Sequence, residues 1–132
     1  DYELLGTELA EELKENGIYP ILLPEALLSD ESQITEIEYQ SGDVHIEATI
    51  NFVYGKEKGF VSITYYDQIV ESGKSEYPNA KYETTLDVNG IQVHIFEQNK
   101  KGTITFKDGQ TEYTIISSMN VEQAIEFAKT IK

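Results

Sequence analysis

Cysteine, arginine and tryptophan are all missing from this chain. Without cysteine there can be no disulfide, no thiolate zinc site and no cysteine nucleophile. All ten bases are lysine, so no guanidinium fork is available for bidentate recognition of phosphate or guanine. The formal net charge is −14. Affinity for nucleic acid comes mainly from neutralising phosphates, so a nucleic-acid partner is excluded. Direct binding to an anionic membrane is excluded for the same reason. No apolar run approaches the roughly 20 residues needed to cross a bilayer, and no secretory apolar segment is present. The glycines stand singly at turns, which excludes a phosphate-cradling loop and a nucleophile elbow.

What is abundant is acid, unevenly placed. Residues 1–50 hold thirteen of the 24 acids against Lys14 alone, a balance of −12. Residues 51–132 hold eleven acids against nine lysines, a balance of −2. Such a charge keeps a protein soluble; it also offers an acidic face to a basic partner or to loosely held cations. The length suits a single domain spanning 1–132, able to bury roughly two thirds of its unfolded surface. The first residue is Asp1 rather than Met and already falls in a helical pattern. The expectation is a processed or trimmed product, from which any upstream signal, lipid anchor or membrane helix would have been removed.

Tyr2, Leu5, Leu9 and Leu13 recur at helical spacing, predicting an N-terminal helix over 2–16 within segment 1–17, closed by Asn16-Gly17. Its other face is glutamate: Glu8, Glu11, Glu12 and Glu15. Pro20 and Pro24 make 18–32 an extended connector, with its apolar residues packed along an edge of the domain and a short helical turn at 25–29. From Gln33 to Ser117 the period changes to two. Strands are predicted at 34–40, 44–52, 59–66, 82–88, 91–97, 103–107 and 111–117, with a turn at Gly55–Lys58 and a long loop over 71–81. Asn89-Gly90 and Asp108-Gly109 are type I′ hairpin signals, and Asn99–Gly102 links the two hairpins into a meander. Asn120 and Gln123 form a capping box for a closing helix over 120–131, lined by Ala124, Phe127, Ala128 and Ile131. The resulting expectation is an α+β fold. Its antiparallel sheet has about seven strands, rich in meanders, with N-terminal and C-terminal helices packed on one face.

No catalytic constellation emerges. His45 and His94 sit in mid-strand, out of phase with the apolar residues, and lack the spacing of a zinc site; they read as exposed strand histidines. Glu11-Glu12, Asp30-Glu31 and Glu36/Glu38 are the carboxylates closest in sequence; Glu36 and Glu38 share a strand face, and a carboxylate hydrolase would be built on them or on another acid pair. The segments around Asp87 and Asp108 lack the alternating acids of a calcium loop. No metal and no cofactor is expected. Among nine tyrosines, the adjacent Tyr65 and Tyr66 must send at least one ring away from the core. With Tyr54 at a strand end and Tyr77 in the long loop, they are the candidate partner-binding residues.

The order of elements resembles a known family. Its carriers are Tyr19-Pro20-x-x-Leu23-Pro24-Glu25, then Val88-Asn89-Gly90-Ile91-x-Val93. Next come Ile104-Thr105-Phe106-x-Asp108-Gly109-x-x-x-Tyr113-x-Ile115 and Asn120-Val121-Glu122-Gln123-Ala124-Ile125-x-x-Ala128. This pattern, over about residues 18–131, is similar to the DUF4367 family of Gram-positive bacteria. Ala26-Leu27 stands where that family often has Gly-Tyr, and Phe106 where it often has Trp. The resemblance implies an extracytoplasmic domain behind a lipoprotein signal or membrane helix, in places the outer part of an anti-sigma-factor-like protein. It supplies no catalytic residues. The function expected is therefore a non-enzymatic, cell-surface or membrane-tethered binding or sensing module for an unidentified protein or peptide partner. The alternative is a small-molecule or peptide-binding domain using a sheet face or edge, and after it a hydrolase.

Overall fold

The computed structural model describes residues 4–67 and 82–132, without the side chains of Tyr82 and Glu83. Its elements are β1 (Leu4–Leu5), α1 (Gly6–Glu15), β2 (Ser32–Ser41), β3 (His45–Tyr54), β4 (Glu57–Tyr66), β5 (Tyr82–Val88), β6 (Ile91–Gln98), β7 (Lys101–Asp108), β8 (Thr111–Ser117) and α2 (Val121–Ala128). The fold is α+β, with one antiparallel sheet of eight strands in the order β1-β2-β3-β4-β8-β7-β6-β5. Two meanders, β1 to β4 and β5 to β8, are thus joined where β4 pairs with β8.

Alternation builds the core. Ala48, Ile50 and Phe52 on β3 face Ile63, Val61 and Gly59 on β4, which in turn face Tyr113, Ile115 and Ser117 on β8. All three of those β3 residues are buried, as are Val61, Ile63 and Ile115. In β2 the alternation is interrupted. Ile34 pairs with Phe52 and Glu36 with Asn51, so Thr35 is an extra residue, a β-bulge. Without it Glu36 and Glu38 would take the core face. With it Ile37 and Tyr39 meet Ile50 and Ala48.

Several expectations need correction. The first helix begins at Gly6 rather than residue 2, because Leu4 and Leu5 are an eighth strand paired with Ile34 and Gln33. Leu5 is extended at ψ 152°, and its N–H donates to Glu8 Oε1 at 3.0 Å. Gly6 then lies so close to the 24–29 turn that a Cβ would sit 2.2 Å from the Leu27 carbonyl oxygen. The connector does not skirt an edge: Ile18, Leu23 and Leu27 are core residues. The Leu22 N–H donates to the hydroxyl of Tyr113, in the middle of the sheet, at 2.8 Å. The closing helix stops at Ala128. Thr130 turns back on Phe127 through its hydroxyl, and Ile131 bridges to Pro24 instead of continuing the helix.

The turns also differ in detail. Asn89-Gly90 has both residues at positive φ, as type I′ requires. The last hairpin turns on Gly109-Gln110, one residue later than expected, since Asp108 still pairs with Thr111. Tyr54 pairs with Glu57, which shortens that turn to Gly55-Lys56. Asn99 and Lys100 turn between paired Gln98 and Lys101 with φ of 52° and 66°, both without glycine.

Candidate functional site

A cleft of about 600 Å³ lies between α2, the β3–β4 turn and the 24–29 turn, lined by Ala26, Tyr54 to Glu57, Met119, Glu122, Gln123, Glu126, Phe127 and Thr130. Its floor follows from local packing. Phe127 is buried and stacks on Phe52, with ring centroids 6.1 Å apart and planes at 7°. Tyr54, the last residue of β3, tilts against Phe127 at 5.3 Å. Met119 is buried in the link between β8 and α2.

Hydrogen bonds fix the walls. Ser118 donates to Glu57 Oε1 at 2.8 Å and accepts from the Lys58 N–H at 3.1 Å, tying the turn to the base of α2. Asn120 caps α2 by accepting from the Gln123 N–H at 2.8 Å, and Gln123 Oε1 accepts from the Asn120 N–H at 2.9 Å. A Cβ on Gly102 would lie 2.7 Å from that of Ala124, which is how closely the helix meets β7. On the rim Glu57, Glu122 and Glu126 outnumber Lys56. Glu126 is partly answered by Lys129 at 2.9 Å, an exposed pair of little energetic weight. The site therefore offers an apolar, aromatic floor inside an acidic rim. That arrangement suits a ligand with an apolar body and a positive charge.

The second cleft, about 210 Å³, is lined by Gly17, Ile46, Tyr65, Tyr66, Asp67 and Gln110. The Tyr66 N–H donates to the Gln110 carbonyl at 2.9 Å, and Gln110 Nε2 donates to the Tyr66 carbonyl at 3.0 Å. Burial raises the Tyr66 phenol above its ordinary value, and the hydrogen-bonded carboxylate of Glu112 and the charge of Glu47 raise it further. His45 lies beside it, 6.0 Å between ring centroids.

Tyr65 and Tyr66 both line the smaller cleft, and Tyr54 lies apart in the larger one. Tyr65 faces Ile46 and Thr111, whereas Tyr66 faces His45, so the two rings leave opposite faces of β4. Tyr54 sits beyond the other end of that strand, about 30 Å away at roughly 3.3 Å per residue. Tyr77 lies outside the described residues. The two histidines are half-buried rather than exposed; His94 Nδ1 is 3.0 Å from the Thr85 hydroxyl. Glu36 accepts from Asn51 Nδ2 at 2.9 Å in an exposed position, and neither it nor Glu38 lines either cleft. Among the described residues no group of three metal-ligating side chains converges, and no helix is long and apolar enough to cross a membrane.

Of the larger cleft, sequence reasoning singled out only Tyr54. Lys56, Met119, Glu122 and Glu126 were missed. The capping motif at Asn120 did locate α2, but nothing local signals that this helix docks against the β3–β4 turn. Comparison with family models, with characterised proteins and with solved structures finds no match to this chain.

Proposed function

We propose that this domain is a non-catalytic binding module, whose cleft beside α2 receives an apolar side chain from a basic segment of a partner protein. The observation that carries this reading is the pairing of the Tyr54–Phe127 floor with the Glu57, Glu122 and Glu126 rim in a chain of net charge −14. Aromatic floors supply binding energy, and charge complementarity supplies orientation and a fast encounter. Both helices and the connector then cover one face of the sheet: Tyr39 donates to Glu12 on α1, Tyr113 holds the connector and Phe52 meets α2, all from strand positions of the same phase. Following the resemblance to the DUF4367 family, we place the module outside the cytoplasm, tethered by an upstream segment. The open reading frame around the gene tests that placement; one encoding no export signal or anchor would refute it.

The cleft is tested by titrating isotope-labelled protein with a short peptide carrying phenylalanine between lysines. Amide signals of Lys56, Glu122 and Glu126 should move, and Tyr54→Ser should abolish the effect. Equal binding of a peptide with glutamates in place of the lysines would refute the reading. A second reading, a small cationic amphiphile in place of a peptide, is favoured by the cleft volume, which lies within the usual range of roughly 300–1,000 Å³ for small-molecule sites. A rise in melting temperature with such a compound, and none with the peptide, selects it.

A further inference from the structure

We propose that the outer edge of β5 is a docking strand for an extended, lysine- or arginine-bearing segment of a partner protein, which would lengthen the sheet by one strand. This stands independently of the cleft. Among the described residues, β5 is the last strand in the sheet order and is hydrogen-bonded to β6 alone. Its hydrogen-bonding parity follows from the turn. Val88 and Ile91 flank a two-residue type I′ turn, so they are the pair that closes it with both backbone bonds. Alternation then commits the backbone groups of Leu86 and Thr84 to the ladder with Val93 and Ile95. It turns those of Thr85 and Asp87 outward. Among the described residues no backbone hydrogen bond reaches Thr85 or Asp87 from that side.

Outward pairs repeating every second residue are what an added strand requires. Among the described residues, three devices that guard a sheet edge, a bulge, a proline and a lysine, are missing from β5. Seven consecutive pairs run from Tyr82 to Val88 without a bulge, and β5 contains neither proline nor lysine. At the opposite edge, β1 is only two residues long and α1 follows it directly.

Charge chooses the occupant. A second copy of the chain would bring −14 against −14, whereas a basic segment is drawn in. Thr85 and Asp87 have exposed side chains, while Leu86 and Val88 are half-buried and buried. A matching strand therefore alternates, setting basic residues beside Asp87 and apolar residues beside Leu86.

The test is amide hydrogen exchange by NMR, with and without an eight-residue peptide of alternating lysine and valine. In the free protein the amides of Thr85 and Asp87 should exchange at least about ten-fold faster than those of Thr84, Leu86 and Val88. Saturating peptide should slow them by about ten-fold or more while the protein stays monomeric. Thr85→Pro removes an outward N–H and leaves the β6 ladder intact, so it should abolish binding; Tyr54→Ser should not. Should the proline variant fail to fold, the same peptide N-methylated at alternate residues replaces it and should not bind. Protection of Thr85 and Asp87 in the free chain, a dimer by light scattering, or binding that survives either block overturns the proposal.

Discussion

Replacing Tyr113 by phenylalanine separates two effects that one hydroxyl exerts on this fold. The ring lies in the centre of the sheet, only 2% exposed, and stacks on Phe106 with centroids 4.5 Å apart and planes at 12°. Phenylalanine keeps that stack. It removes the acceptor of the Leu22 N–H, bonded at 2.8 Å, and leaves a partly buried donor without a partner. Such a loss costs about 1–2 kcal/mol near neutral pH.

The second effect appears only in alkali. Burial pushes the Tyr113 phenol up to about 12, against the opposing influence of the Leu22 N–H; the unfolded value is about 10. The folded state therefore holds this proton where the unfolded state has released it. The stability this confers is complete below pH 10 and drains away as the pH rises to about 12, by about 3 kcal/mol over the whole window. The phenylalanine variant cannot suffer that loss, and every other ionisable group is common to both proteins.

Urea unfolding at pH 8 and pH 11.5 is the assay. The wild type should lead by about 1–2 kcal/mol at pH 8, and that lead should vanish or reverse at pH 11.5. An undiminished lead at the higher pH would refute the account, because it would mean that the hydroxyl is not desolvated by folding.

Three further substitutions test the fold where it is most constrained. Lys100 holds φ 66° without being glycine, so Lys100→Gly should stabilise by about 1 kcal/mol and raise the urea midpoint. Gly102→Val forces atoms into a space where a Cβ already lies 2.7 Å from Ala124 and 3.1 Å from the Val121 Cα. It should cost about 1–3 kcal/mol in thermal unfolding and loosen α2 above the cleft. Asn120→Ala removes the acceptor for the Gln123 N–H and should cost about 1 kcal/mol, read as a lower melting temperature.

The strands were legible because their alternation is strong. His45 to Tyr54 and Thr111 to Ser117 each send every second residue into the core, and a period of two survives in the order of residues alone. The bulge at Thr35 was not legible, because nothing local distinguishes Ile34-Thr35-Glu36 from continuous strand. Leu5 fits a helical stripe as well as a short strand, and the pairing of Leu4 and Leu5 with Ile34 and Gln33 decided the outcome. Two prolines in the connector argue against a central strand there, but nothing in them signals that Leu22 would reach Tyr113, 91 residues away. For the same reason Tyr54 could be marked as a strand-end aromatic while its neighbours in the cleft could not: Glu122 and Glu126 come from the far end of the chain.

The junction between β4 and β8 also bears on the order in which the molecule assembles. Within each meander, β2 to β4 and β5 to β8, neighbours meet through connections of two or three residues, so those pieces can zip up in microseconds. Setting Gly59 against Ser117 demands closure of a far longer loop, whose entropic cost no nearby turn reduces. We expect this seam to form last. Changes confined to it, such as Gly59→Ala against the Ile116 carbonyl, should slow refolding while leaving the flanking hairpins as quick as before.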